Sequence, residues 1–216
     1  MKQVRAIQPE GPYCLAGWCL AGVLAFEIAQ QLHAQGQKVS LLALLDSSRP
    51  GYLQSLPAHA RLVMRANRWI EKIRFHGDNL KPLGTRAKLG YLRESIRSTK
   101  NNIENRVWRI ACRLYLSTGR RLVKPQWHFD KSLRYAALHY HPRVYPGRIT
   151  LFQPVTRPLR RWHDPLFGWG ELAAGGVDLQ QIPGDHNTMF EEPNVGVLAH
   201  RIKGCLKMVR EESRLA

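Results

Sequence analysis

The chain has 216 residues, 44% of them hydrophobic and 23% charged, which is enough for one domain around a buried core. No run of 18 apolar residues occurs, so no transmembrane helix is expected, and Met1-Lys2-Gln3-Val4-Arg5 lacks the apolar centre of a signal peptide. Net charge is +17, and residues 61–124 hold 17 Lys or Arg against four acids, so that segment alone carries +13.

Such a basic block admits nucleic acid, an anionic membrane or an acidic protein as partner, beside the plain alternative of solvated helix faces. The four cysteines, Cys14, Cys19, Cys112 and Cys205, have no paired metal-ligand spacing. No metal site is therefore expected, and no cofactor is expected either. A reducing cytoplasm is the compartment in which such thiols stay free. Cys14, in a strand pattern, and Cys205, in a C-terminal helix pattern, are read as core residues.

In chain order, Tyr13 to Ala16 reads as a short buried strand, and the next helix runs to about Gln35, with Gly36 as its stop. Leu20, Leu24, Ile28 and Leu32 recur at i, i+4 and are taken as its apolar face. Val39 to Leu45 is a nearly continuous apolar run that ends in Asp46, the pattern of a strand buried on both faces of a parallel sheet. Pro57 to Phe75 and Thr85 to Leu116 then look helical, basic and long, broken at Pro82-Leu83-Gly84. This block, 57–125, reads as an insertion between sheet strands. Trp127 to Tyr140 is a further helical stretch. Strands follow at Arg148 to Phe152 and Val177 to Ile182, around a Trp/Gly/Pro-rich loop in which Trp162, Phe167 and Trp169 are read as core or anchor residues. Asn194 to about Ser213 closes the chain as an amphipathic helix. A single domain thus divides into 1–56, 57–125 and 126–216. The fold class is α/β, a mostly parallel sheet with flanking helices.

The residues with chemistry stand at strand ends. Gly17-Trp18-Cys19-Leu20-Ala21-Gly22 joins a strand pattern to a helix pattern, the setting of a G-x-S-x-G nucleophile elbow with a thiol in place of the hydroxyl. A sharp strand-to-helix turn lifts one side chain above the sheet and points the next backbone N–H, that of Leu20, at the same spot. Asp46 and His186 also follow strands, and sites in open parallel sheets form at the carboxyl ends of strands. The expected roles are Cys19 as nucleophile, His186 as base and Asp46 as the group that orients the imidazole. Asp46 could instead cap a helix, and Asp185 is read as a cap. Trp18 is packing or a wall of the substrate pocket. His139-Tyr140-His141 is a weak metal pattern.

Glu10 to Ala29, around the elbow, resembles the elbow of the type I thioesterase domains that terminate non-ribosomal peptide and polyketide synthetases. Leu44-Leu45-Asp46-Ser47 resembles their triad aspartate, and Pro146 to Phe152 and Ile182-Pro183-Gly184-Asp185-His186 resemble their later strands and triad histidine. The resemblance implies an α/β-hydrolase fold, with the basic block in the place of a mobile lid. It implies an acyl or peptidyl chain on the phosphopantetheine of a carrier protein as substrate, released to water or an internal nucleophile. Carrier proteins of such systems are usually acidic, which gives the cationic block a partner and leaves nucleic acid unexpected. The alternatives are a catalytically impaired carrier-binding domain or fragment and, on charge alone, a basic nucleic-acid or membrane-surface binder.

Three departures from the family pattern stand out. Ala21 occupies the place of the last elbow glycine. Cys19 occupies the place of the serine, which makes the acyl-enzyme itself a thioester and predicts a bias towards aminolysis or cyclisation. Only 18 residues precede Cys19, whereas the family has several strands there, one followed by the loop that donates the second oxyanion N–H; those strands are expected to be missing and the sheet edge uncovered.

Overall fold

A computed structural model describes residues 1–63, 66, 70, 110, 136, 137, 139–156 and 164–215. The chain divides into two compact units, one of Met1–Pro57 with His139–Ala216, the other of Ala58–Leu138. Most of the basic block lies outside the described residues, as do Cys112, Trp127 and Trp162; residues 58–63, 66, 70, 110, 136 and 137 are helical.

The first unit is built on four parallel strands, β1 (Tyr13–Trp18), β2 (Val39–Leu45), β3 (Ile149–Pro154) and β4 (Val177–Ile182), in the order β1-β2-β3-β4. Its helices are α1 (Lys2–Ile7), α2 (Leu20–Ala34), α3 (Tyr52–Ser55) and α4 (Asn194–Leu215). The sheet is the parallel one expected, and α1 is an element that the sequence pattern did not announce. Among the described residues no helix is long and apolar enough to cross a membrane.

Alternation along the strands sorts side chains to the two faces. Leu41, Ala43 and Leu45 of β2 form one core with Phe152, Ile182, Met189, Leu198 and Cys205, against which Ile202, Leu206 and Val209 of α4 pack. On the opposite side α2 buries Gly22, Val23, Ala25, Phe26, Ala29 and Leu32. This face differs from the one expected: Leu24 is 39% exposed, and of the i, i+4 leucines and isoleucine only Leu32 is fully buried. Small residues bring the start of α2 close to the strands, and the helix therefore turns its Gly22-Ala25-Ala29 side inward. Phe26 meets Trp169 at 4.7 Å between ring centroids, and Trp169, fully buried, donates its indole N–H to Ser47 O at 2.8 Å. Trp169 and the buried Phe167 are thus core residues, as read. The Tyr140 hydroxyl donates to the Glu27 carboxylate and Gln30 donates to Arg143 O at 2.9 Å, which ties the approach to β3 onto α2. Burial, and then that carboxylate, push the Tyr140 phenol well above its ordinary range.

Cys205 is buried as expected, but Cys14 is exposed. The reason is topological. Cys14, Ala16 and Trp18 pair with Leu41, Ala43 and Leu45, so they share the α4 side of the sheet. Because β1 lies at the edge, α4 covers β2 and leaves these three positions exposed.

Candidate active site

The elbow between β1 and α2 has the backbone that such a turn demands. Cys19 sits at φ 52°, ψ −118°, a sparsely populated conformation for a residue with a side chain. Its N–H donates to Leu45 O at 2.9 Å, which binds the turn to the end of β2 one residue before Asp46. Gly17 is required by contact: a Cβ there would lie 2.3 Å from Ala21 O. Gly22 is required in the same way, since its Cβ would lie 2.4 Å from Ser47 Oγ. Ala21 is exposed, so its extra methyl group is accommodated; the glycine that packing requires beyond the turn is Gly22. Leu20 opens α2, and its N–H belongs to the first helical turn, where no intrahelical carbonyl can accept it.

Asp46 follows β2 with φ 42°, and its N–H donates to Phe152 O at 2.8 Å. That turn aims the carboxylate across to the loop after β4. His186 Nδ1 donates to Asp46 Oδ2 at 2.6 Å, a contact between residues 140 positions apart. The Asp46 side chain is 12% exposed and that of His186 40%. The histidine loop is held by Asp185, whose Oδ1 accepts the N–H groups of Asn187 and Thr188, each at 2.9 Å, while its own N–H donates to Thr188 Oγ1 at 2.8 Å. These bonds, that from the Thr188 backbone first, hold the Asp185 carboxyl below its ordinary value. Asp185 therefore caps the turn Thr188–Phe190, and Asp46 meets the imidazole.

Trp18 stacks on His186, with ring centroids 4.9 Å apart and planes at 27°, and Phe190 meets the indole edge-on at 5.2 Å. The Trp18–His186 stack was not read from the sequence; alternation along β1, which places residue 18 on the α4 side, was the only signal for it. Among the described residues no hydrogen bond joins Cys19 Sγ to His186, and Nε2 has no hydrogen-bond partner. Hydrogen bonds of this kind are often long in unliganded enzymes and tighten around substrate. His139 and His141 gather no metal-binding set: among the described residues no three His, Cys, Asp or Glu side chains converge.

A parallel sheet flanked by helices, with a strained strand-to-helix elbow and an Asp–His pair on the loops after later strands, defines an α/β-hydrolase-like protein. The thioesterase domain family model matches residues 1–205, and the chain belongs to that family. It is 52% identical over 211 residues to a non-reducing polyketide synthase of Pseudevernia furfuracea, covering 92% of this chain and 9% of that protein. It is 38% identical over 211 residues to malpibaldin synthetase of Mortierella alpina, covering 96% of this chain and 3% of that protein. The chain thus spans less than a tenth of the length of these relatives. Among solved structures, the NocB thioesterase domain in covalent complex with a fluorophosphonate nocardicin G analogue is similar at TM-score 0.52 and 25% identity, over 95% of this chain and 70% of that one. A four-domain non-ribosomal peptide synthetase, holo-AB3403, shares the fold at TM-score 0.56 and 20% identity, over 94% of this chain and 15% of that one.

Proposed function

We propose that this domain releases an acyl or polyketide chain from the phosphopantetheine thioester of a carrier protein through an acyl-Cys19 intermediate. The observation that carries the reading is the 2.6 Å Asp46–His186 contact on the same sheet edge as the Cys19 elbow. In the proposed cycle His186 Nε2 takes the Cys19 proton, and Asp46 stabilises the resulting imidazolium. The thiolate attacks the thioester carbonyl, the oxyanion accepts the Leu20 N–H, and the C–S bond to pantetheine breaks. The imidazolium returns its proton to the departing thiolate. Water or a nucleophile within the chain then attacks acyl-Cys19, with His186 as base, and the product leaves as the thiol is restored.

An acyl-cysteine lies close in energy to the pantetheine thioester that forms it, so loading is near thermoneutral and the intermediate keeps its drive towards an amine or a ring closure. Cyclisation or aminolysis over hydrolysis is part of the proposal, as are a cytoplasmic setting, a lid role for the basic block, an acidic carrier domain as its partner, and the absence of any cofactor beyond the carrier's arm. Intact-mass detection of an acyl adduct at Cys19, after mixing with an acyl-pantetheine thioester, tests the reading; no adduct at Cys19 overturns it. A second reading, a carrier-binding domain without turnover, is favoured by the missing Cys19–His186 hydrogen bond and requires carrier binding without acyl transfer.

A further inference from the structure

The geometry points to Trp18 as a positioning residue that favours the protonated form of His186 and so poises Cys19 as a thiolate. The inference rests on the Cys19–His186 chemistry proposed above. Two contacts fix the imidazole. Asp46 holds Nδ1 at 2.6 Å, and the indole face of Trp18 covers one side of the ring at 4.9 Å. With one edge and one face occupied, Nε2 is the nitrogen left to exchange a proton. Phe190, edge-on to Trp18 at 5.2 Å, holds the indole in turn.

The chemistry of that stack depends on charge. A tryptophan face is the best aromatic partner for a cation within about 6 Å of its centroid, and it gains less from the neutral imidazole. Transfer of the thiol proton to Nε2 creates such a cation and a thiolate, with no change in proton count. Trp18 thus favours the ion pair over the neutral pair. Charged groups that act on this imidazole are Asp46 after β2, which bonds Nδ1, and Asp185 in its own loop. The Asp46 carboxylate meets the ring at its edge, and Trp18 adds a contribution from the face. The same side chain is 42% exposed, so replacing it opens no core cavity.

The test reads alkylation of Cys19 in the intact chain, with peptide mapping to separate it from Cys14, Cys112 and Cys205. Iodoacetate, an anion, reacts fastest with a thiolate beside an imidazolium; iodoacetamide at high pH reads the bare thiolate. In Trp18→Leu, iodoacetate alkylation on the alkaline side of its optimum is expected to fall about threefold, with the iodoacetamide rate at high pH unchanged. Trp18→Phe, which keeps a ring on the imidazole, is expected to recover most of that loss. A Leu variant with the wild-type iodoacetate profile overturns the inference alone, provided that the wild-type profile collapses in His186→Ala. A wild-type profile already indifferent to His186→Ala overturns the inference together with the catalytic reading. If Trp18→Leu does not fold, Trp18→Phe still decides: an iodoacetate rate no lower than wild type overturns the inference, and a smaller fall in the same direction supports it.

Discussion

Gly22 and Ser47 are packed so closely that a Cβ on the glycine would lie 2.4 Å from the serine Oγ and 2.5 Å from its Cβ. The contact joins the first turn of α2 to the residue after Asp46, so it sets the spacing between the nucleophile turn and the acid. Gly22→Ala must push one of them away. Overpacking of this kind costs about 1–3 kcal/mol. We expect a lower denaturation midpoint and slower Cys19 alkylation, with both partly restored by Ser47→Gly. Ala21→Gly, at an exposed position, is expected to leave the alkylation rate within about twofold of wild type and to cost at most the ~0.5–1 kcal/mol of a helical glycine.

Asp46→Asn keeps the size of the side chain but removes the charge that faces His186 Nδ1 at 2.6 Å. An amide NH2 that donates to Nδ1 leaves the ring proton on Nε2, the wrong tautomer for a base, whereas an amide oxygen that accepts Nδ1–H carries no charge to stabilise the imidazolium. Turnover of an acyl-pantetheine thioester is expected to fall at least about tenfold, and up to the ~10⁴ known for a triad aspartate. Circular dichroism and the melting temperature check that the fold persists; unchanged turnover would remove Asp46 from the proposed machinery.

Cys19→Ser replaces a thioester intermediate by a more stable oxygen ester. The variant is expected to keep the ability to load but to shift products from amide or ring towards free acid when an amine competes with water. Chromatography of the products at fixed amine concentration reads the ratio. An identical ratio for thiol and hydroxyl enzymes would show that the pocket, and not the leaving-group energy, decides the outcome.

Asp185 provides a pH-dependent brace for the histidine loop. Its carboxyl lies below the ordinary 3.8 because backbone N–H groups, that of Thr188 first, donate to the charged form. A depressed folded-state value stabilises the loop above the ordinary carboxylate range, and that contribution is lost as the pH falls through the lower value. Asp185→Ala is expected to cost about 1 kcal/mol near neutrality, as loss of a cap does. The gap between variant and wild type should close in acid; denaturant melts at pH 7 and at pH 3 or below measure it.

The +13 carried by residues 61–124 leads to a salt test. Turnover of carrier-bound substrate should weaken from low to high salt if cationic steering brings an acidic carrier to the domain, whereas turnover of free acyl-pantetheine should change much less. Equal salt dependence for the two substrates would assign the charge to something other than carrier docking.

The parallel sheet, the elbow and the burial of Trp169 were legible from residue order, as were Asp46 and His186 as candidates at strand ends. Each depends on short-range patterns: apolar runs of strand length, a glycine-bracketed turn, and polar groups that follow strands. Those patterns set local backbone conformation, and the parallel topology then sends strand ends to one edge. Other features depended on which distant surfaces meet. The leucine spacing of α2 suggested one face, but the close approach permitted by Gly22, Ala25 and Ala29 selected another. Cys14 read as core and is exposed, because α4 covers β2 and not the edge strand. Asp46 and Asp185 were both plausible caps by sequence; only packing of the loop after β4 against the end of β2 gave the first to the imidazole and left the second to brace the turn. Trp18 on His186 belongs to the same class. Its partner lies 168 residues away in the chain, and a contact at that separation is decided by how the core closes, not by the residues on either side.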